Sequence, residues 1–446
     1  MALDNPRSQI AHLLRRAGFG ASEAELDQYT ALGFAGAVER LLNPEQVDDS
    51  AADQLVASLA LDLNDAESRR KIEAAKFWWL NRMLHTQRPL QEKLTLFWHD
   101  HFATANSKVG NAILMVRQNQ LFRDYGLGSF ESLLQKVTHD PAMLIWLDNR
   151  QNRKGSPNEN YAREVMELFT VGIGNYTEQD IKEAARAFTG HSLDRDLKYV
   201  FQTNQHDNKD KTFQGQTGNF DADDILAILV RHPATARFLT TKLFSFFVYE
   251  EPDGSTIDRL ADTYFNSGFD VRAVLRDIFT GPEFLSPQAF HAQIKSPVDL
   301  VVGSLKVLNV QNVGPDSTQA LRRMGQDLLN PPDVSGWKGG SAWINATTLF
   351  ERFNWGNRLA TGRDAAKPYF TDIGGQIQGR AGDAAGLVDY YLGVLVDGDA
   401  TPEARQALVD YLNSSGDFAL DSGAAVDMKA RGLVHLALAA PAYQLA

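Results

Sequence analysis

There is no cysteine in the 446 residues. That removes disulfides, thiolate zinc ligands and thiol nucleophiles together, and it leaves the compartment open. No run of five like charges occurs, so there is no charged tail. No apolar run approaches the roughly 20 residues a bilayer needs, and Leu436–Pro441 is typical of the longest. The start, Met1-Ala2-Leu3-Asp4-Asn5-Pro6-Arg7-Ser8, has no basic stretch followed by an apolar one. No secretory signal is read there, and a cytoplasmic location is the default expectation. Basic residues are the minority, 44 Lys+Arg against 56 Asp+Glu for a net charge of −12. Such a field repels phosphates, so nucleic acid is not an expected partner. Apolar residues are plentiful at 43%, enough for one large core or a few smaller ones.

Those apolar residues recur mostly at helical spacing. Residues 10–42 read as two helices around Gly18-Phe19-Gly20, and 51–86 as one long helix carrying Ala74, Phe77, Trp78, Leu80 and Met83. Arg15 and Arg16 suit the negative end of the first helix, with anion binding as the alternative. After Pro89 a helix runs to about Asn106 with the stripe Leu94, Phe97, Trp98, His101 and Phe102, leaving His99 and Asp100 off it. Residues 193–219 read as a short β-hairpin or an excursion loop. The fold expected is mainly α: a large multi-helix globular domain over 1–360, a Gly/Asp-rich linker or loop over 361–384, and a small helical piece over 385–446.

The most polar helical stretch is Ser156-Pro157-Asn158-Glu159-Asn160-Tyr161-Ala162-Arg163-Glu164-Val165-Met166-Glu167-Leu168-Phe169, which follows an amide-rich loop. Ser156 and Glu159 match a capping box with proline at the first helical position. Tyr161, Val165, Leu168 and Phe169 make an apolar face, and Asn160, Arg163, Glu164 and Glu167 a polar one. Glu159–Arg163 and Arg163–Glu167 have ion-pair spacing. A solvated, salt-bridged face explains this pattern as readily as a site does. In the site reading Glu164 and Glu167 are catalytic carboxylates, and Asn158, Asn160, Arg163 and, from the next helix, Arg186 hold substrate.

Other residues could join them. His99 and His101 lie about 200° apart on a helix, so they cannot share a metal there; structural, catalytic and metal roles are weighed in that order. Asp140 before Pro141 suits an N-cap, with a catalytic role as the alternative. Trp337 and Trp343 sit in Asn330-Pro331-Pro332-Asp333-Val334-Ser335-Gly336-Trp337-Lys338-Gly339-Gly340-Ser341-Ala342-Trp343, which cannot be regular. They are staples under a loop or a stacking platform for a sugar.

Several stretches are similar to one bacterial family: His12-Leu13-Leu14-Arg15-Arg16-Ala17-Gly18-Phe19-Gly20, Phe97-Trp98-His99-Asp100-His101-Phe102, Pro157-Asn158-Glu159-Asn160-Tyr161-Ala162-Arg163-Glu164, Lys211-Thr212-Phe213-Gln214-Gly215, His232-Pro233-Ala234-Thr235-Ala236-Arg237-Phe238 and Asn330-Pro331-Pro332. In order, and over nearly the whole chain, they resemble the domain of unknown function family 1800. The resemblance implies export for many members and supplies no catalytic residue.

The function expected from the residues is an enzyme acting on a small polar or glycan substrate by carboxylate and histidine acid–base chemistry. A His/Asp/Glu metalloenzyme and a non-catalytic helical scaffold are the alternatives. No cofactor is implied, and no metal ligand is assigned.

Overall fold

The computed structural model describes residues 3–62, 65–378, 383–414 and 423–446. It is mainly α, as the periodicity predicts. The described strands form two antiparallel two-stranded sheets, His191–Leu193 with Tyr199–Phe201 and Lys211–Phe213 with Gln216–Gly218. The predicted excursion is thus two hairpins. No helix among the described residues is long and apolar enough to cross a membrane.

The N-terminal part is more broken than its periodicity suggests. Three helices, Pro6–Arg16, Glu23–Ala31 and Gly33–Leu42, replace the expected two. The break falls at Gly33, whose φ of 69° is left-handed and open to glycine. The long helix over 51–86 is instead Ser50–Ala57, a 3₁₀ turn at Ala66–Arg70, and Ile72–His85. Nor is Arg16 a solvated terminal residue. It is buried and donates to the carbonyls of Phe247, Val248 and Ala446, while Arg15 pairs with Asp397.

Two apolar clusters fill the molecule. One joins Leu13, Trp98, Phe130, Phe169, Leu226 and Phe247; the other joins Trp79, Leu114, Val301, Trp355, Leu387 and Leu433. The helix Pro89–His101 lies between them. It starts with proline, sends Leu90, Leu94, Phe97 and Trp98 into the first cluster, and turns Leu96 toward the second. Charge is buried on this helix as well. The Glu92 carboxylate accepts from Trp79 Nε1 at 3.0 Å, Arg82 Nε at 3.0 Å and Arg123 Nη2 at 2.9 Å.

Asp140 is the N-cap of the helix Pro141–Trp146. Its Oδ2 accepts from Met143 N at 2.9 Å and from Gln118 Nε2 at 2.8 Å. Burial pushes its carboxyl from 3.8 up to about 7. The folded state therefore keeps a proton that the unfolded chain releases. That stabilisation is complete below pH 3.8 and is lost as the pH rises through about 7. Asp140→Asn retains the acceptor and removes the charge. It is expected to stabilise the protein at pH 8 by on the order of 2 kcal/mol and to be near neutral at pH 4, read from urea midpoints at the two pH values.

Candidate active site

The expected capping box at Ser156 is not formed. The helix begins at Asn160, with Glu159 as an N-cap whose side chain makes no capping bond. Ser156 N donates to Arg153 O at 3.1 Å, and Asn158 Oδ1 takes the Asn160 N–H at 3.0 Å. A hydrogen-bonded turn before the helix has taken over the capping. The chain then widens into a π-turn at Val165–Phe169. That changes the register, and the predicted Arg163–Glu167 ion pair does not form. Glu167 accepts from Tyr176 Oη at 2.8 Å instead. Arg163 makes a bidentate pair with Glu178, both bonds 2.9 Å, and lies 3.7 Å from Glu159. Glu164 is half-buried. Burial first, and the Glu167 charge second, raise its carboxyl above the usual range. Asn160 is exposed. Arg186 is bound by Asp207 at 2.8 Å and Glu183 at 2.6 Å.

The histidines are built into the frame. His99 is buried, and its Nε2 accepts the Leu329 N–H at 3.1 Å, so its proton sits on Nδ1. Burial holds it neutral, at about 3. His101 lies among Phe97, Phe102, Phe130 and Phe169, with Nε2 3.2 Å from the Phe169 carbonyl that ends the π-turn. Burial lowers it well below the usual imidazole range. Both rings are held in the neutral, singly protonated form at neutral pH.

Between these histidines, Asp100 faces a cleft of about 780 Å³. Lys93, Leu96, Phe97 and Asp100 form one wall at helical spacing. Lys242, Ser245, Phe246 and Tyr249 form a second from the helix Pro233–Phe247 and the turn after it. The Pro/Gly loop closes the top with Ser335, Trp337, Lys338, Ser341 and Trp343, and Asp299, Gln326 and Glu250 are also in the lining. Both tryptophans noted in the sequence line this cleft, one half-buried and the other buried. Asn158, Asn160, Arg163, Glu164, Glu167, His99, His101, Asp140 and Arg186 do not.

The helix fastens the loop at two points. His99 holds its start through Leu329, and Asp100 Oδ1 accepts the Trp337 N–H at 2.7 Å. Gly336 permits this approach. Its φ is 79°, and a Cβ there would lie 2.7 Å from the Asp100 carbonyl oxygen. Backbone cannot yield as a side-chain tip can, so Gly336→Ala is expected to cost about 1–3 kcal/mol and to alter Trp337 fluorescence. An unchanged melting temperature and emission maximum would refute this account of the glycine.

Burial pushes the Asp100 carboxyl from 3.8 up to about 6, against the Trp337 N–H and the Lys242 charge, which pull it down. Lys242 is lowered by burial and makes no hydrogen bond or ion pair among the described residues, only a contact 5.2 Å over the Phe238 ring. Lys93 is the paired cation of the site. Its ammonium pairs with Asp299 and lies over the rings of Phe19 and Phe246. Among the described residues no three His, Asp or Glu group closely enough to hold a metal ion.

A family model described as "Protein of unknown function (DUF1800)" matches residues 12–445. No curated protein matches the chain, and no solved structure does.

Proposed function

The chain belongs to the DUF1800 family, whose description names no reaction, and we propose from the cleft alone that it is an enzyme acting on a polar, carbohydrate-like substrate with Asp100 as general acid. One observation carries this reading: a carboxyl raised to about 6 lines a roomy cleft beside an unpaired lysine and under a half-buried tryptophan. A carboxylic acid that keeps its proton up to about pH 6 is suited to protonating a leaving oxygen. The indole of Trp337 suits the apolar face of a sugar ring, and Ser335, Ser341 and Gln326 can meet its hydroxyls.

For a glycosidic bond the balance is simple. Asp100 gives its proton to the leaving oxygen as the carbon–oxygen bond breaks. Water adds its hydroxyl to the carbon, and its second proton passes to Glu250, the exposed carboxylate of the same cleft. The test is a panel of neutral and acidic oligosaccharides, scored for new reducing ends. Turnover by the native chain, abolished in Asp100→Asn at an unchanged melting temperature, is the result expected. Equal turnover by Asp100→Asn would sink the assignment.

The scaffold reading keeps one supporting observation, the solvent-facing Arg163–Glu178 pair where a substrate contact had been expected.

A further inference from the structure

A second concavity, of about 710 Å³, lies between the loop after Trp146 and the first hairpin. It shares no lining residue with the Asp100 cleft. Its lining is almost wholly polar: Arg150, Arg153, the carboxamides of Gln151, Asn158, Gln202 and Gln205, and the hydroxyls of Ser156 and Ser192, with Pro157 the chief apolar side chain.

The two walls are fixed to one another. Asn152 is buried beneath them, donating to Asn149 Oδ1 at 3.1 Å and Ala185 O at 2.8 Å while its Oδ1 accepts the Asn158 N–H at 2.9 Å. Lys154 N donates to Gln205 O at 2.7 Å, and Gly190 N to Asn152 O at 3.0 Å. The backbone of the groove is therefore preformed, while the exposed Arg150 and Arg153 side chains order on binding.

The two guanidinium groups are the informative feature. In a chain of net charge −12, neighbouring Arg163 and Arg186 each hold carboxylates. The Arg150 and Arg153 side chains make no hydrogen bond or ion pair among the described residues. Glu159, the one carboxylate in the lining, is turned to Arg163 at 3.7 Å. Two uncompensated forks favour an anion with planar oxygens. The row of amides and hydroxyls asks for a partner with many hydroxyls. Little apolar area is offered to a greasy ligand, and no exposed aromatic platform to a nucleobase.

We infer that this groove binds a hydroxylated organic anion of the sugar-acid class, its carboxylate on Arg150 and Arg153 and its hydroxyls on the carboxamide wall. The site is independent of the Asp100 chemistry, and its test does not read activity. Titration calorimetry of the full chain compares D-glucuronate, D-glucose and inorganic phosphate. Glucuronate is expected to bind at least about tenfold more tightly than glucose or phosphate. Arg150→Gln with Arg153→Gln should weaken it by a similar factor. The double lysine variant, which keeps both charges and serves as the folding control, should lose less, and Asp100→Asn should lose nothing. Equal affinity for glucose would overturn the role of charge, and equal affinity for phosphate the role of the hydroxyls. Glucuronate binding that is absent, or that survives the double glutamine variant unchanged, would overturn the site itself.

Discussion

Replacing Glu92 with alanine is expected to cost about 3–5 kcal/mol, the usual penalty for stranding buried charge. Glu92 is 1% exposed, and both guanidinium groups that it holds, Arg82 and Arg123, are buried too. Its carboxylate is the meeting point of Ile72–His85, Pro89–His101 and Ala112–Tyr125, since Arg82, Glu92 and Arg123 come from these three helices in turn. Alanine takes the shared carboxylate from both cations and from the Trp79 indole N–H, leaving Arg82 its pair with the half-exposed Asp53 and Arg123 only the neutral acceptors Asn119 and Gln120. Glutamine keeps one acceptor but no charge and should fall between. Urea unfolding followed by circular dichroism measures both. A Glu92→Ala protein within about 1 kcal/mol of native would mean that water reaches the arginines and that the triad is not closed.

The same carboxylate gives the acid limb of stability. Burial alone would raise Glu92, but Arg123 and then Arg82 outweigh it and hold the group below its ordinary 4.5. Its contribution is present above pH 4.5 and is lost as the pH falls through the lowered folded value. Asp140 acts in the opposite sense. The two buried carboxylates of this region therefore set opposing slopes, one below pH 4.5 and the other between 3.8 and about 7.

Much of the helical fold is legible because local chemistry and global packing agree. Thr177 with Asp180 forms a capping box, and Asp140 and His232 cap helices whose first residue is proline. The failures are equally physical. Ser156 carries the right residues for a cap, but its backbone is already committed to Arg153, and the cap passes to Asn158. The ion pair drawn from Arg163 to Glu167 assumes α-helical register, which the π-turn removes. In the stretch that looked most like a site, Arg163 and Glu167 are taken up by Glu178 and Tyr176, while Ser156, Pro157, Asn158 and Glu159 line the second groove. The cleft was harder to see. Its tryptophans stand out in the sequence, yet Asp100 looks like an ordinary polar residue at the edge of an aromatic stripe. What sets it apart is a loop more than two hundred residues away and Lys242 on another helix. Neither contact has a local signal. The only hint in the sequence was that Asp100 lay off the stripe beside a histidine that proved to be a clasp.

Asp100→Asn should lower kcat/KM by about 10²–10⁴, the range supplied by one positioned general acid. Substrate binding should survive, since asparagine can still accept the Trp337 N–H. The pH dependence is more discriminating than the loss itself. If Asp100 acts protonated, the kcat/KM profile carries a limb that falls as the pH rises through about 6. The Lys242 ammonium favours the ionised carboxylate, so it holds that midpoint down. Lys242→Met removes the charge, and with it the ammonium over the Phe238 ring, and keeps an unbranched side chain of similar length. The falling limb should then move to higher pH, and the protein should retain activity at pH values where the native chain has lost it. Weakening the Trp337 bond through Gly336→Ala acts in the same direction, because that N–H also favours the ionised form. Both shifts follow from the two groups that oppose burial at this one carboxyl, so a profile in which neither variant moves the limb would take the titration away from Asp100. A limb that rises through about 6 instead would make Asp100 the base, with the acid to be sought at Glu250 across the same cleft.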